Sequence, residues 1–65
     1  MLALAALPLE FRKVLILVDV QELDYKEVAQ VLAIPIGTVK SRVSRARQML
    51  RTALAGFARE RRLVH

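Results

Sequence analysis

The chain has no cysteine, no tryptophan, and only two prolines, two glycines and three aromatic residues in 65 positions. Without cysteine there is no disulfide framework and no thiolate metal site. That usage fits a reducing compartment, and a cytoplasmic location is expected. His65 is the sole histidine and stands at the terminus, so no histidine ligand set can form. No nucleophile–base pair and no phosphate-cradling glycine loop occurs, and no catalysis, cofactor or small-molecule substrate is expected. The apolar runs at 1–7 and 14–18 are far short of the roughly 18 residues a membrane span requires. The first resembles the apolar part of a signal peptide, but it lacks a basic leader and passes straight into patterned sequence.

What the chain does have is aliphatic residues and a lopsided charge. Hydrophobic residues make up 55% of it, enough for one small core. A chain this short buries only about 60% of its unfolded surface, so a single marginal domain over residues 1–65 is expected. Residues 1–36 hold three cations (Arg12, Lys13, Lys26) against five carboxylates; residues 37–65 hold eight cations against Glu60 alone. One basic end implies a polyanionic partner there, and the mildly acidic end implies a different one. Asp19, Glu22, Asp24 and Glu27 lie near one another in sequence, but capping accounts for the last two and solvation for the others, so no metal site is expected.

The apolar spacing is helical throughout. Phe11, Val14, Leu15 and Val18 fall at i, i+3, i+4 and i+7, which with Pro8 at the first turn predicts a helix over residues 8–20 with a broad apolar surface. Asp24-Tyr25-Lys26-Glu27 reads as a capping box, and Val28, Ala29 and Leu32 mark one face of the short helix it opens. Pro35 cannot continue that helix but suits the start of the next. A small residue is needed where two tightly packed helices cross, and Ala29 supplies it. In the last helix Ile36, Val39, Val43, Ala46, Leu50, Ala53 and Phe57 form one apolar seam, with Gly56 as the expected stop. The fold class is therefore all-α: a small three- to four-helix domain with a helix-turn-helix over about 24–54.

At about 100° per residue, Ser41, Gln48 and Gly37 lie opposite the seam of the last helix, with Ser44, Thr38 and Arg45 beside them. Lys40, Arg47 and Arg51 form one flank and Arg42 lies on the other. Small hydroxyl residues let a helix enter the major groove, long cationic side chains reach base edges, and flanking cations hold phosphates. Arg45 is the leading base reader, since arginine on guanine O6 and N7 is the commonest specific contact. The competing readings are a helical hairpin with a solvated basic face, or a basic helix for membranes or calmodulin-type partners. Neither requires the capped helix, the fixed turn or Ala29.

Leu7-Pro8-Leu9-Glu10-Phe11-Arg12-Lys13-Val14-Leu15, Leu23-Asp24-Tyr25-Lys26-Glu27-Val28-Ala29, Ile34-Pro35-Ile36-Gly37-Thr38-Val39-Lys40-Ser41-Arg42 and Arg45-Ala46-Arg47 together resemble region 4 of bacterial sigma factors, nearest to the extracytoplasmic-function group. The resemblance covers about residues 7–54. It implies a domain that binds the promoter −35 element within RNA polymerase holoenzyme, with Lys40, Ser41, Ser44 and Arg45 at bases or adjacent phosphates. It further implies docking of the first helices on the β flap of polymerase and, in many members, sequestration by an anti-sigma factor. Phe11, Val14, Leu17 and Val18 are the residues expected to receive such a partner, since they cannot all face so small a core; the alternative is that they pack on the 2–7 segment. The family usually has glycine where this chain has Ala33, which would cost about 1 kcal/mol if that residue is left-handed. A whole sigma factor also needs a −10-melting region, so the chain is expected to be a C-terminal portion, or an adaptor built on the module. Two rivals remain: a response-regulator DNA-binding domain, which usually continues differently after Thr-Val-Lys, and a fragment that only binds protein.

Overall fold

The structure is a computed structural model that describes the backbone of residues 2–64 and the side chains of residues 4–56. Its elements run α1 (Leu2–Ala5), α2 (Leu9–Leu15) continuing into a widened π turn (Ile16–Val20), α3 (Tyr25–Leu32) and α4 (Ile36–Val64). No strand occurs among the described residues. The short helices α2 and α3 pack against the first half of α4, and α1 lies on α4 as well. One cluster holds them together: Leu7, Phe11, Val14, Leu15, Val28, Val39, Val43 and Ala46 are all buried. Fully burying a side chain the size of valine is worth about 1.5–3 kcal/mol. The four valines Val14, Val28, Val39 and Val43 therefore carry much of the stability of so small a domain.

The local signals explain each element. Asp24 accepts from the Glu27 backbone N–H at 2.8 Å, and the Asp24 N–H donates back to Glu27 Oε1 at 3.3 Å, so the capping box forms in both directions. α3 ends on Ala33, which is left-handed at φ 55° and ψ 46°. Around it the Ile34 N–H donates to the Ala29 carbonyl at 3.0 Å and the Ala33 N–H to Gln30 at 3.3 Å. This is the double hydrogen bond of a Schellman ending, and half-buried Ile34 packs on the core beneath it. Pro35 then stands just before α4, its carbonyl accepting from the Thr38 and Val39 N–H groups at 3.0 and 3.2 Å. The turn is thus three residues long, Ala33 to Pro35.

Several expectations are corrected. Pro8 precedes its helix, with an extended ψ of 150°, instead of lying inside it. The helix expected over 8–20 changes type midway: the Gln21 N–H reaches back five residues to Ile16 at 2.9 Å. Such a turn holds one residue more than an α turn and rotates the side chains beyond it about the axis. It closes on Glu22, a second left-handed residue at φ 58°, with the Leu23 N–H donating to Leu17 at 3.0 Å. Gly56 does not stop α4, which runs on to Val64. Ile36, counted in the seam, is exposed, because a seam residue in the first turn projects beyond the end of the packed helices. Phe57 lies outside the described side chains, as does His65.

Phe11 and Val14, expected to meet a protein partner, are instead core residues, 8% and 0% exposed. The core lies beneath the middle of α2, and burial there takes them out of reach. Leu17 and Val18 are half-buried at the core's edge. In the 2–7 segment Leu7 joins the core and Leu4 packs against it, while α1 lies on α4.

A left-handed alanine is strained where glycine would not be. Ala33→Gly is therefore expected to stabilise the domain by about 1 kcal/mol, seen as a higher urea midpoint at unchanged slope. An unchanged or lower midpoint would show that Ala33 is not strained.

Candidate nucleic-acid interface

The burial of one stripe of α4 fixes what the rest of the helix presents. Val39, Val43 and Ala46 are 0–1% exposed, and Leu50 and Ala53 are half-buried behind them. The opposite side is thereby turned to solvent. Gly37, Ser41, Ser44 and Gln48 are exposed there, with exposed Lys40 and Arg51 along one edge. The structure thus brings the sequence-predicted residues onto one ordered face.

The remaining predicted residues stand at its borders. Thr38 is half-buried in the first turn, and Arg42 is half-buried over a cleft lined by Leu9, Glu10, Lys13 and Leu32, between α2 and the end of α3. Arg45 is exposed but borders a groove of about 570 Å³ between α4 and the chain just before α2, where Leu7, Pro8, Met49 and Ala53 also line it. Gln48 and Thr52 share that rim, and the Thr52 hydroxyl donates back to the Gln48 carbonyl at 3.1 Å. Arg45 therefore stands where the outward face of α4 meets the segment that precedes α2.

Arg47 departs from expectation. Its Nη2 donates to Asp19 Oδ1 at 2.9 Å, tying the middle of α4 to the π turn. The Asp19 hydrogen bond and charge hold the guanidinium above its ordinary pKa, slight desolvation works against them, and Tyr25 adds a smaller rise. Among the described residues, the Arg47 guanidinium is thus paired with a carboxylate of the protein itself. Both side chains are nearly half exposed (45% and 48%), which limits such a pair to less than about 1 kcal/mol net. Sequence reasoning missed Asp19: a pair 28 residues apart, positioned by a π turn, leaves no periodic trace.

Gly37 is unexplained by the fold. A Cβ there would meet no atom within 4 Å, and its φ is not positive. A helix gains from alanine over glycine, so nothing inside the domain favours glycine at that position. It shares the outward face with Ser41 and Ser44, where a missing side chain admits a closer approach by something outside. Among the described residues there is no group of three or more potential metal-ligating side chains, and no helix long and apolar enough to cross a membrane.

Comparison with known proteins identifies the family. The family model described as sigma-70, region 4 matches residues 1–50. The chain is 45% identical over 58 residues to the ECF RNA polymerase sigma factor SigE of Mycolicibacterium smegmatis, covering 89% of this chain and 23% of that protein. It is 44% identical over 48 residues to the ECF sigma factor SigW of Bacillus subtilis (74% and 26%). To the RNA polymerase sigma factor HrpL of Pseudomonas syringae it is 43% identical over 56 residues (86% and 30%). The chain thus spans about a quarter of the length of these curated relatives.

The Gly37 observation has a test with two opposite signs. Gly37→Ala should stabilise the fold by about 0.5 kcal/mol while weakening duplex binding severalfold. A variant that is more stable and binds equally well would remove Gly37 from the interface.

Proposed function

Because the chain belongs to the sigma-70 region 4 family, we propose that it recognises the −35 promoter element as the C-terminal part of an alternative sigma factor. The observation that carries this reading is the ordered outward face of α4. It is small and hydroxylated at its centre, cationic at its edges, and fixed in direction by the buried Val39–Val43–Ala46 stripe. In this account α4 enters the major groove by its first turns. Ser41, Ser44, Arg45 and Gln48 face base edges, Thr38 and Arg42 stand at the border, and Lys40 and Arg51 hold phosphates. A short helix with few contacts binds weakly alone, and tethering to polymerase supplies the remainder as effective concentration.

A second surface of the domain is assigned to protein. On α2 and its π turn, Leu9 and Val20 are exposed, and Leu17 and Val18 are half-buried. This surface would dock on the β flap of the polymerase core, and an anti-sigma factor would act by covering it. The whole complex would work in the cytoplasm, where transcription takes place. A DNase footprint of the intact factor with polymerase is the deciding experiment. Protection at −35 is expected; protection confined to −10 would contradict the assignment.

Two substitutions separate base reading from phosphate holding. Arg45→Ala should cost about 1–3 kcal/mol and relax the preference at one or two base pairs; an equal loss on every sequence would reduce Arg45 to a phosphate contact. Arg51→Ala should weaken all sequences alike and flatten the salt dependence by about one phosphate. An unchanged slope would place Arg51 outside the footprint.

A further inference from the structure

Among the described residues, Arg47 is the one cation on α4 between residues 40 and 51 whose head group is hydrogen-bonded to a carboxylate of another element. It stands two turns beyond Lys40 and one turn before Arg51, on the same edge of the helix, where a free guanidinium would add to the phosphate-holding row. The carboxylate that takes it comes from the π turn. The Gln21 to Ile16 hydrogen bond and left-handed Glu22 shape the backbone on either side of Asp19. π turns inside helices recur at functional positions, and this one sets a negative charge against the edge of the DNA-facing helix.

We propose that Asp19 is a positioning residue that withholds Arg47 from DNA and so sets the number of phosphates the domain engages. The inference rests on the reading of α4 as the DNA helix. Lys40 and Arg51 then hold the backbone on this edge, while Arg47 stays turned back toward α2. Both side chains are nearly half exposed, so removing the carboxylate leaves no buried charge and releases the guanidinium from all but its weaker interaction with Tyr25. The domain's nonspecific affinity is thereby kept lower than its count of arginines implies, and a larger share of binding is left to base contacts.

The test is a salt titration of the 65-residue chain on a labelled duplex pool of random sequence. It compares the unaltered chain with Asp19→Asn, Arg47→Ala, the double variant, and Glu22→Gln as a carboxylate control. Each phosphate engaged adds about 0.9 to the slope of log affinity against log salt. Asp19→Asn should steepen the slope by about that amount, so that affinity falls about three- to fourfold more between roughly 50 and 200 mM salt. Arg47→Ala alone, and the double variant, should leave the slope as in the unaltered chain, and Glu22→Gln should not move it. Thermal melts of each variant confirm that folded proteins are compared. The proposal is overturned if Arg47→Ala flattens the slope, since Arg47 then already serves a phosphate. It is equally overturned if Asp19→Asn changes nothing, or acts undiminished in the Arg47→Ala background. Because the domain binds weakly without tethering, a chain too weak to titrate even at low salt is measured as the intact factor with polymerase. Failure to bind duplex there would sink the underlying DNA reading and this proposal with it, a result distinct from binding with unmoved slopes.

Discussion

The structure depends on burying one stripe of one helix. Val39, Val43 and Ala46 of α4 are closed over by α2 and α3, and in a domain this small few other side chains compensate if that contact loosens. A helix has no freedom to rotate once three residues spaced by four and three are buried. The direction of every other side chain on α4 is thereby set, including the serines and cations that make its outer face. Core packing and the proposed recognition surface are two sides of the same helix.

The turn between α3 and α4 does the complementary work of setting the angle. Asp24 and Glu27 satisfy the free N–H groups at the start of α3, and a Schellman ending satisfies its last carbonyls. The chain reverses in three residues because Ala33 accepts a left-handed conformation, and Pro35 hands its carbonyl to the next helix. The strained alanine is tolerated because Ile34 is drawn down onto the core beneath it. Local strain is offset there by a long-range contact.

Much of this was legible in the sequence, and the failures are of two kinds. Helix type, the capping box, the turn and the buried stripe are local or periodic features, so Asp24, Pro35, Val39 and Val43 could be placed from spacing alone. The family's usual glycine raised a left-handed Ala33 as one condition, and the structure meets it, whereas Glu22 carried no such flag. The π turn and the run of α4 past Gly56 escaped because the apolar spacing does not mark them; the other failures required knowing how two elements meet. Phe11 and Val14 read as surplus apolar surface until the crossing of α2 and α4 buried them. Arg47 read as a free cation until the π turn brought Asp19 to within 2.9 Å. Gly37 illustrates the reverse: the fold makes no demand for it, and its meaning lies with whatever approaches the helix.

The central claim is that the outer face of α4, and no other surface, meets the duplex. Amide chemical shifts of the labelled 65-residue chain, tracked while a duplex carrying its −35 element is added, test this most directly. The account predicts that the changes concentrate between residues 37 and 51 on the side of Ser41, Ser44 and Arg45, with Leu9, Val20 and the core valine Val28 unmoved. Changes centred on α2 and its π turn, with Ser41 and Ser44 unaffected, would contradict it.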